Sequence, residues 1–305
     1  MNDLLDRIVE RNKRFTANGK VASYIPALAR TNPNLLGICV ADINGEIYTA
    51  GDYNHKFTLQ SISKTISLML AIMDNGMDYV FNKVGMEPTG DAFNSIIKLE
   101  TISPSKPLNP MINAGAIAVA SMIKGKDNEE KFERLLNLFR KICDNEKLDI
   151  NTEVYLSEKS TGHRNRALAY FMKDVGIIEG DVEEILDVYF KQCSIEVDCI
   201  DIAQIGLFLA NKGIVPKTGE KITTEAVART IKTFMVTCGM YNESGEFAIN
   251  VGIPSKSGVG GGIMSTVPHR MGIGVYGPAL DSKGNSIAGY ALLKDLSKEL
   301  NLSIF

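Results

Sequence analysis

Hydrophobic and polar positions follow two different periods along this chain of 305 residues, and the period changes four times. Apolar residues spaced three to four apart predict a helix over residues 4–15. Mainly apolar runs rich in β-branched residues then predict strands over residues 36–41 and 46–50. The Asn44-Gly45 dipeptide between the strands is typical of a tight hairpin turn. The first part of the chain is therefore expected to form a helix and a hairpin.

Helical periodicity dominates the middle of the chain, and strand patterns return near its end. The predicted helices cover residues 113–122, 129–143, 164–172, 182–190, 201–210, 224–234 and, after the last strands, 287–300. The later strands are predicted at residues 247–251, 260–267 and 271–276.

Strands at both ends are most simply buried in one antiparallel sheet, with terminal helices over one face and an all-helical insertion alongside. We therefore predict a mixed α+β fold that forms a single unit over residues 1–305. Its sheet-containing part would comprise residues 1–60 and 245–305, and its helical part residues 61–244. A site is expected at the seam between the two parts.

Composition and charge restrict the partners. The net charge of −3, with 45% apolar and 23% charged residues, is typical of a globular protein without a phosphate-binding surface, so no nucleic-acid partner is expected. No apolar run approaches the ~18 residues of a membrane span, so no membrane partner is expected. The N-terminal segment lacks the apolar stretch of a signal peptide, which predicts a cytoplasmic protein.

Cysteine and histidine spacing gives no sign of a disulfide framework or a metal site. Five cysteines occur without a C-x-x-C pair, and buried free thiols are the expected state in a reducing compartment. A Gly-x-Gly-x-x-Gly segment before a helix is also missing, so no cofactor is predicted. The residues are Cys39, Cys143, Cys193, Cys199 and Cys238, together with His55, His163 and His269.

Ser61-Ile62-Ser63-Lys64 stands where a strand pattern gives way to an apolar run, residues 66–73, that predicts a helix. This spacing places the Ser61 hydroxyl and the Lys64 amine on one helical face, as a nucleophile beside a candidate proton acceptor. Ser-x-x-Lys is typical of serine acyl-transfer enzymes related to penicillin-binding proteins. The alternative is ordinary helix capping by the hydroxyls. A second copy, Ser103-Pro104-Ser105-Lys106, falls in a proline-rich loop.

Lys256-Ser257-Gly258 precedes a strand pattern and forms a second candidate motif. A Lys-Ser/Thr-Gly segment on an edge strand also marks the penicillin-recognising serine fold. A backbone N–H there, with that of the nucleophile, can form an oxyanion hole. The alternative is a strand entry that needs small residues. Lys217-Thr218-Gly219 matches the motif more literally, but Gly213, Pro216 and Gly219 predict a turn, so we assign it a structural role.

Several longer segments of the chain form a recognisable series. They are Tyr24-Ile25-Pro26-Ala27-Leu28-Ala29, Leu59-Gln60-Ser61-Ile62-Ser63-Lys64, Asn109-Pro110-Met111-Ile112-Asn113-Ala114-Gly115-Ala116-Ile117, Glu158, Arg164-Asn165, Asp187-Val188-Tyr189-Phe190, Cys193-Ser194-Ile195-Glu196-Val197, Cys238-Gly239-Met240-Tyr241 and Lys256-Ser257-Gly258-Val259. Over residues 24–293, their identity and order resemble the serine-dependent glutaminases of bacterial and mitochondrial type.

The resemblance implies a β-lactamase/penicillin-binding-protein-like fold. It also implies a cofactor-free amidohydrolase that converts L-glutamine to L-glutamate and ammonia through a γ-glutamyl-serine intermediate. A homo-oligomer, either a dimer or a tetramer, is implied as well.

The resemblance assigns the catalytic roles residue by residue. Ser61 would attack the amide carbonyl, and Lys64 would take its proton, for which burial and the helix N-terminus must lower the lysine pKa from about 10.4. Tyr241 would relay protons to the leaving ammonia and from the water, with Tyr189 beside it. The backbone N–H groups of Ser61 and Val259 would form the oxyanion hole.

The remaining matched positions would bind the amino-acid end of glutamine. Glu158 would pair with the α-ammonium, and neutral side chains would donate to the α-carboxylate. The neutral set would be Tyr24, Asn113 and Asn165, with Gln60 also lining the site. Without the resemblance, these side chains would be interpreted as a solvated charge, helix caps, turn residues and half-buried rings.

Two other functions remain open from the sequence. One is a penicillin-recognising hydrolase or esterase, although a Ser-Asp-Asn motif and a signal peptide are both missing. The other is a catalytically idle amino-acid sensor that keeps the clamp of Glu158, Asn113 and Asn165. The intact combination of Ser61, Lys64 and Tyr241 argues against the sensor, because a binder needs no nucleophile.

Overall fold

An antiparallel sheet joins the two ends of the chain in the computed structural model, which describes residues 1–101 and 105–305. Its five strands follow the order β2-β1-β7-β6-β5, and a small second sheet pairs β3 with β4. The strands are β1 (Gly37–Asp42), β2 (Ile47–Gly51), β3 (Phe57–Thr58), β4 (Glu196–Val197), β5 (Ser255–Ser257), β6 (Gly262–Val267) and β7 (Met271–Tyr276).

Helices surround the large sheet and fill the middle of the chain. They are α1 (Asn2–Lys13), α2 (Lys64–Asn75), α3 (Met77–Lys83), α4 (Ile97–Thr101), α5 (Asn113–Met122), α6 (Asn128–Cys143), α7 (Thr152–Thr161), α8 (His163–Asp174), α9 (Val182–Cys193), α10 (Cys199–Ala210), α11 (Glu225–Cys238), α12 (Ser244–Asn250) and α13 (Ile287–Leu300). Ser103 and Pro104, which belong to the second Ser-x-x-Lys copy, lie outside the described residues.

The two faces of the sheet bury different helices. Alternate side chains of β1, such as Ile38 and Val40, join a core with Leu5 of α1 and Leu292 of α13. The opposite face packs against α10, and glycines in β7 permit the close approach. A Cβ on Gly272 would lie 2.0 Å from the Ala203 carbonyl oxygen and from the Leu207 nitrogen. The expected cover of one face by the terminal helices is therefore confirmed, and α10 covers the other.

The long periodic segments match their predicted elements closely, but one prediction is wrong. Residues 247–251 were expected to form a strand, whereas Phe247 lies in helix α12 and Val251 is its C-cap. Both are buried and four residues apart, which is the helical period, while Ile249 between them is 88% exposed. Strands β4 and β5 were not predicted, while β3 lies in the strand pattern that precedes Ser61. The two strands that were missed have only two or three residues each, too few to display a period.

The two lysine motifs lie in different surroundings. Lys256-Ser257-Gly258 runs along β5, the edge strand of the large sheet, and into the following turn. Gly258 is needed there, because a Cβ would lie 2.7 Å from the carbonyl oxygen of Leu59, just before the predicted nucleophile. Lys217-Thr218-Gly219 lies in the connection between α10 and α11, where Gly219 adopts φ +70°. The Lys-Ser-Gly segment thus adjoins Ser61, and the Lys-Thr-Gly segment forms a turn.

Candidate active site

One pocket gathers most of the predicted site residues where the turn after β5 meets helices α5, α7, α8 and α9. Its cavity volume is about 90 Å³, far below the ~300–1,000 Å³ of clefts that hold drug-sized ligands. The predicted residues that line it are Tyr24, Gln60, Ser61, Asn113, Glu158, Asn165, Tyr189 and Val259. A single small molecule is the class of ligand that such a pocket fits.

Ser61 lies in a tight 3-10 turn, Gln60–Ser63, that leads directly into helix α2. Gln60 has a φ of 48°, the left-handed region that L-residues other than glycine rarely adopt. Such strain is held in place by the surrounding structure and is concentrated at functional sites. Ser61 remains 7% exposed at the pocket wall, and Lys64 is the first residue of α2.

Lys64 is buried, and no carboxylate of the described residues is bonded to its amine. Its Nζ donates to the carbonyl of Met111 at 3.1 Å and to Oδ1 of Asn113 at 2.8 Å. Burial lowers the pKa of Lys64 to about 8, against a partial opposing effect of Cys193 and Glu158. Two donated hydrogen bonds use both N–H groups of a neutral amine, so its lone pair stays available to accept a proton.

Glu158 places an unpaired carboxylate in the pocket. Its side chain is buried on α7, and Oε2 has no hydrogen-bond partner among the described residues. Burial raises the pKa of Glu158 to about 8, while the Gln60 amide and the Lys64 amine partly oppose that rise. A buried carboxylate with one oxygen unpartnered is costly unless a cation binds it. The pocket therefore suits a ligand with a positive group at this position.

Neutral hydrogen-bonding groups stand close to Lys64 on α5 and α8. Besides accepting from Lys64, Asn113 donates from Nδ2 to Oδ1 of Asn165 at 3.0 Å. The helix α5 begins at Asn113, but its N-cap is Ile112, so the asparagine serves the pocket instead of capping the helix. Tyr24 is 55% exposed and lines the same pocket. These groups can donate to an anionic ligand group.

Tyr241 reaches Ser61 from the other side. Its hydroxyl faces the Ser61 side chain and the backbone N–H of Val259, and within residues 1–101 and 105–305 it makes no hydrogen bond of standard geometry. Burial raises the pKa of Tyr241 above 10, so the hydroxyl keeps its proton at neutral pH. Its backbone is strained, with φ 52°, and the Phe93 ring packs 4.8 Å away from its ring.

Helix α9 supplies a second buried tyrosine and a thiol. Tyr189 and Cys193 lie four residues apart, on one face of the helix, and both line the pocket. Burial raises the pKa of each group well above its ordinary value, and the Cys193 thiol is in contact with the Tyr189 hydroxyl. Both groups are therefore neutral hydrogen-bonding partners at pH 7.

Some lining residues were missed from the sequence. Cys193 lies beyond the predicted helix of residues 182–190; the helix continues to Cys193, which places the thiol on the same face as Tyr189, four residues earlier. Phe93 lies between elements, where no periodic pattern indicates which side chain turns inward. The lining residues that were not predicted are Ile25, Phe93, Asn94, Thr161, Gly162, Arg164 and Cys193.

Within residues 1–101 and 105–305, no group of three or more His, Cys, Asp or Glu side chains could hold a metal ion. In the same ranges, no helix combines the length and apolar character that crossing a membrane requires.

Comparison with known proteins assigns a family to this architecture. The family model described as Glutaminase matches residues 19–305. Glutaminases of Clostridium botulinum (strain Loch Maree / Type A3) and Fusobacterium nucleatum are each 63% identical over 305 residues, covering all of this chain and all of the relative.

Solved structures agree with that assignment. A crystal structure of a Bacillus glutaminase is 48% identical, with a TM-score of 0.92 and coverage of 99% of both chains. The Bacillus subtilis glutaminase in covalent complex with 5-oxo-L-norleucine, formed from 6-diazo-5-oxo-L-norleucine, is 44% identical. Its TM-score is 0.90, and the match covers 100% of this chain and 99% of that one. The mixed α/β architecture with an antiparallel sheet matches these structures, and this chain belongs to the glutaminase family.

Proposed function

We propose that this chain hydrolyses the side-chain amide of L-glutamine through a γ-glutamyl ester on Ser61. The observation that carries the proposal is the position of the Ser61 hydroxyl. It lies in a small pocket that also holds the unpaired carboxylate of Glu158, with the amine of Lys64 one helical turn away. A covalent adduct in the Bacillus subtilis relative supports a nucleophilic route in the family.

Substrate binding would use the charges of the amino acid. The α-ammonium would pair with Glu158, which supplies the missing partner of its buried oxygen and lowers the carboxyl pKa. The α-carboxylate would accept hydrogen bonds from Tyr24, Asn113 and Asn165. Gln60 would steady Glu158 through its amide. With the amino-acid end fixed, the side-chain amide of glutamine is directed towards Ser61.

Acylation would begin with proton transfer from the Ser61 hydroxyl to the neutral amine of Lys64. The serine oxygen then forms a bond to the amide carbon, and the carbonyl oxygen becomes an oxyanion. The backbone N–H groups of Ser61 and Val259 would stabilise that charge. As the carbon–nitrogen bond breaks, the nitrogen receives a proton from the Tyr241 hydroxyl and leaves as ammonia. The Lys64 ammonium restores the proton of Tyr241.

Deacylation would reverse the proton transfers with water as the nucleophile. A water in the position left by ammonia gives a proton through Tyr241 to Lys64 and attacks the ester carbon. The ester bond to Ser61 then breaks, the serine oxygen regains its proton from Lys64, and L-glutamate leaves. The neutral hydroxyl of Tyr189 would be a further hydrogen-bond donor at the acyl group.

Ammonia release from L-glutamine by the purified protein tests the proposal, with L-asparagine and a chromogenic β-lactam as parallel substrates. We expect release from glutamine, none from the Ser61→Ala variant, and a 6-diazo-5-oxo-L-norleucine adduct on Ser61 by peptide mass spectrometry. Ser297→Ala is the matched control, because Ser297 is also buried, donates to the Val251 carbonyl at 2.6 Å and does not line the pocket. Glutamine binding without turnover would favour the sensor, and full activity of Ser61→Ala would disprove the ester.

We also propose a fold, an oligomeric state and a cytoplasmic location for this chain. We place the chain among β-lactamase-like folds, as one catalytic unit with a sheet-containing part (residues 1–60 and 245–305) and a helical part (residues 61–244). The edge position of Lys256-Ser257-Gly258 beside Ser61 supports this placement. We propose a homo-oligomer, a dimer or a tetramer, which light scattering after gel filtration would test. Five buried free cysteines are compatible with the reducing cytoplasm.

A further inference from the structure

The turn over residues 281–285 contacts the segment that carries Tyr241, on both its ring side and its backbone side. On the ring side, a Cβ added to Gly284 would lie 3.5 Å from Cε2 of Tyr241. On the backbone side, Nδ2 of the fully buried Asn285 donates to the carbonyl of Met240 at 3.3 Å and to Oε2 of Glu243 at 2.7 Å.

Further hydrogen bonds tie the turn and the Tyr241 segment together. The second oxygen of Glu243 accepts from Nζ of Lys283 at 2.8 Å. The carboxylate of Asp281 accepts from the backbone N–H of Asn285 at 3.0 Å, which fixes the turn itself. Asn285 therefore connects a turn with its own internal support to the residues on both sides of Tyr241.

Tyr241 needs such support because its backbone is strained. A bulky residue at φ 52° would relax to a negative φ if its neighbours allowed it. Relaxation would rotate the side chain and carry the hydroxyl away from Ser61. Residues held in such conformations persist only where the surroundings determine them. Met240 and Glu243, the two residues that Asn285 binds, flank this strained position.

We propose that Asn285 is a positioning residue for the reaction, which acts by holding Tyr241 in its strained conformation with the hydroxyl towards Ser61. The inference rests on the proposed function, in which that hydroxyl relays protons. Asn285 does not line the pocket. Its loss should therefore slow the chemical step and leave substrate binding nearly unchanged.

A double-mutant cycle between Asn285→Ala and Tyr241→Phe tests this directly. We expect Asn285→Ala to lower kcat by about 10- to 100-fold and to change KM by less than about 3-fold, since a displacement near 1 Å can cost 10²-fold. In the Tyr241→Phe background, the same substitution should lower kcat by less than about 3-fold, because the hydroxyl it positions is already gone.

Asn12→Ala is the matched control for a purely structural loss. Asn12 is also buried, and its Nδ2 also donates to a backbone carbonyl, that of Ile8, and to a carboxylate, that of Asp295, both at 2.9 Å. It lies on α1, which packs against α13 and the sheet. Asn12→Ala should lower thermal stability as Asn285→Ala does, but leave kcat within about 2-fold of the wild type.

The outcomes separate the positioning role from the proposed function. An inactive Tyr241→Phe enzyme beside an Asn285→Ala enzyme of normal kcat overturns the positioning role alone. A loss that is equally large in both backgrounds also overturns it. Wild-type kcat in Tyr241→Phe overturns the proton relay, and the positioning role with it.

A softer variant keeps the test decisive if Asn285→Ala does not fold. Glu243→Ala leaves Asn285 in place and removes both acceptor oxygens, so the bonds from Asn285 and from Lys283 are both lost. We expect kcat to fall about 3- to 10-fold, with KM unchanged and no further loss in Tyr241→Phe. An unchanged kcat in Glu243→Ala overturns the positioning role.

Discussion

The amine of Lys256 lies 4.5 Å from the centre of the Tyr241 ring, and both side chains are buried. Nζ also donates to the carbonyls of Gly239 at 3.0 Å and Ser257 at 2.7 Å. Burial, and then the nearby Lys64, lower the pKa of Lys256 well below its ordinary value. An amine fixed by two carbonyls thus packs against the ring of Tyr241, in surroundings that disfavour its charged form.

Replacing Lys256 should therefore affect both stability and turnover. Lys256→Met keeps a long side chain against the ring but removes the amine that donates to two buried carbonyls, of which that of Gly239 still accepts from the N–H of Ser257 at 3.0 Å. We expect the free energy of unfolding to fall by about 1–3 kcal/mol, and kcat to fall about 10-fold at nearly constant KM. Urea unfolding and steady-state kinetics measure the two effects. Lys232→Met, which removes the donor to Leu209 at 2.9 Å, should lower stability only.

Two buried groups with a pKa of about 8 predict that activity rises with pH along the acid limb of the profile. Lys64, lowered to about 8, must be neutral to act as a base, and Glu158, raised to about 8, must be ionised to bind the ammonium. Both forms increase as pH rises, so log kcat/KM should climb below pH 8 with a slope approaching about two. In the complex Glu158 is already paired, so log kcat should climb with a slope of about one.

The Glu158→Gln variant separates the two ionisations. It should raise KM strongly and reduce the slope of log kcat/KM to about one, because only Lys64 still titrates. A slope that stays near two in Glu158→Gln would contradict the assignment of one proton to this carboxyl.

Glu158 should also make stability depend on pH. Its pKa is 4.5 when unfolded and about 8 in the folded pocket, so the folded state binds more protons between these values. Stability should therefore fall as pH rises from 4.5 to 8. Glu158→Gln removes the ionisable group, and with it the loss of stability that ionising the buried carboxyl causes. We expect it to match the wild type near pH 5 and to be more stable by about 2–5 kcal/mol at pH 8. Urea unfolding of both proteins at the two pH values tests this, and a constant difference would contradict it.

Much of the fold could be predicted because long elements repeat their pattern often enough to be recognised. The helix predicted at residues 113–122 has those bounds in the structure, and the sheet does join both chain ends. Short elements are too brief to repeat a pattern. Two apolar residues four apart, such as Phe247 and Val251, fit a strand or a helix equally well, and only the exposure of Ile249 between them identifies the helix.

The residues of the site also fall into those that a local sequence pattern predicts and those that it does not. Sequence motifs identified Ser61 and Lys64, because a spacing of three residues places both side chains on one face of a helix. The contact between Lys256 and Tyr241, and the support of Tyr241 by Asn285, join residues that are distant along the chain. A left-handed tyrosine backbone likewise has no sequence signal, since it is imposed by neighbours and opposed by the residue's own preference.

The strained backbone of Gln60 gives a last prediction. Its φ of 48° is one that glycine adopts readily and alanine does not. Gln60→Gly and Gln60→Ala both remove the amide beside Glu158, so both should raise KM by about 10-fold, because the carboxylate loses a donor worth about 1–1.5 kcal/mol. Gln60→Gly should nevertheless be more stable than Gln60→Ala by about 1 kcal/mol.

The matched pair Lys212→Gly and Lys212→Ala isolates the backbone effect. Lys212 also has a positive φ, 60°, and its partner Glu225, at 3.2 Å, is lost in both variants. Glycine should again be more stable by about 1 kcal/mol, but KM should not change, because Lys212 is not a pocket residue. Thermal unfolding measures the difference in stability between the glycine and alanine variants, and steady-state kinetics measures KM for glutamine. Equal stability of glycine and alanine at position 60, with the expected difference at position 212, would mean that the turn before Ser61 carries no strain.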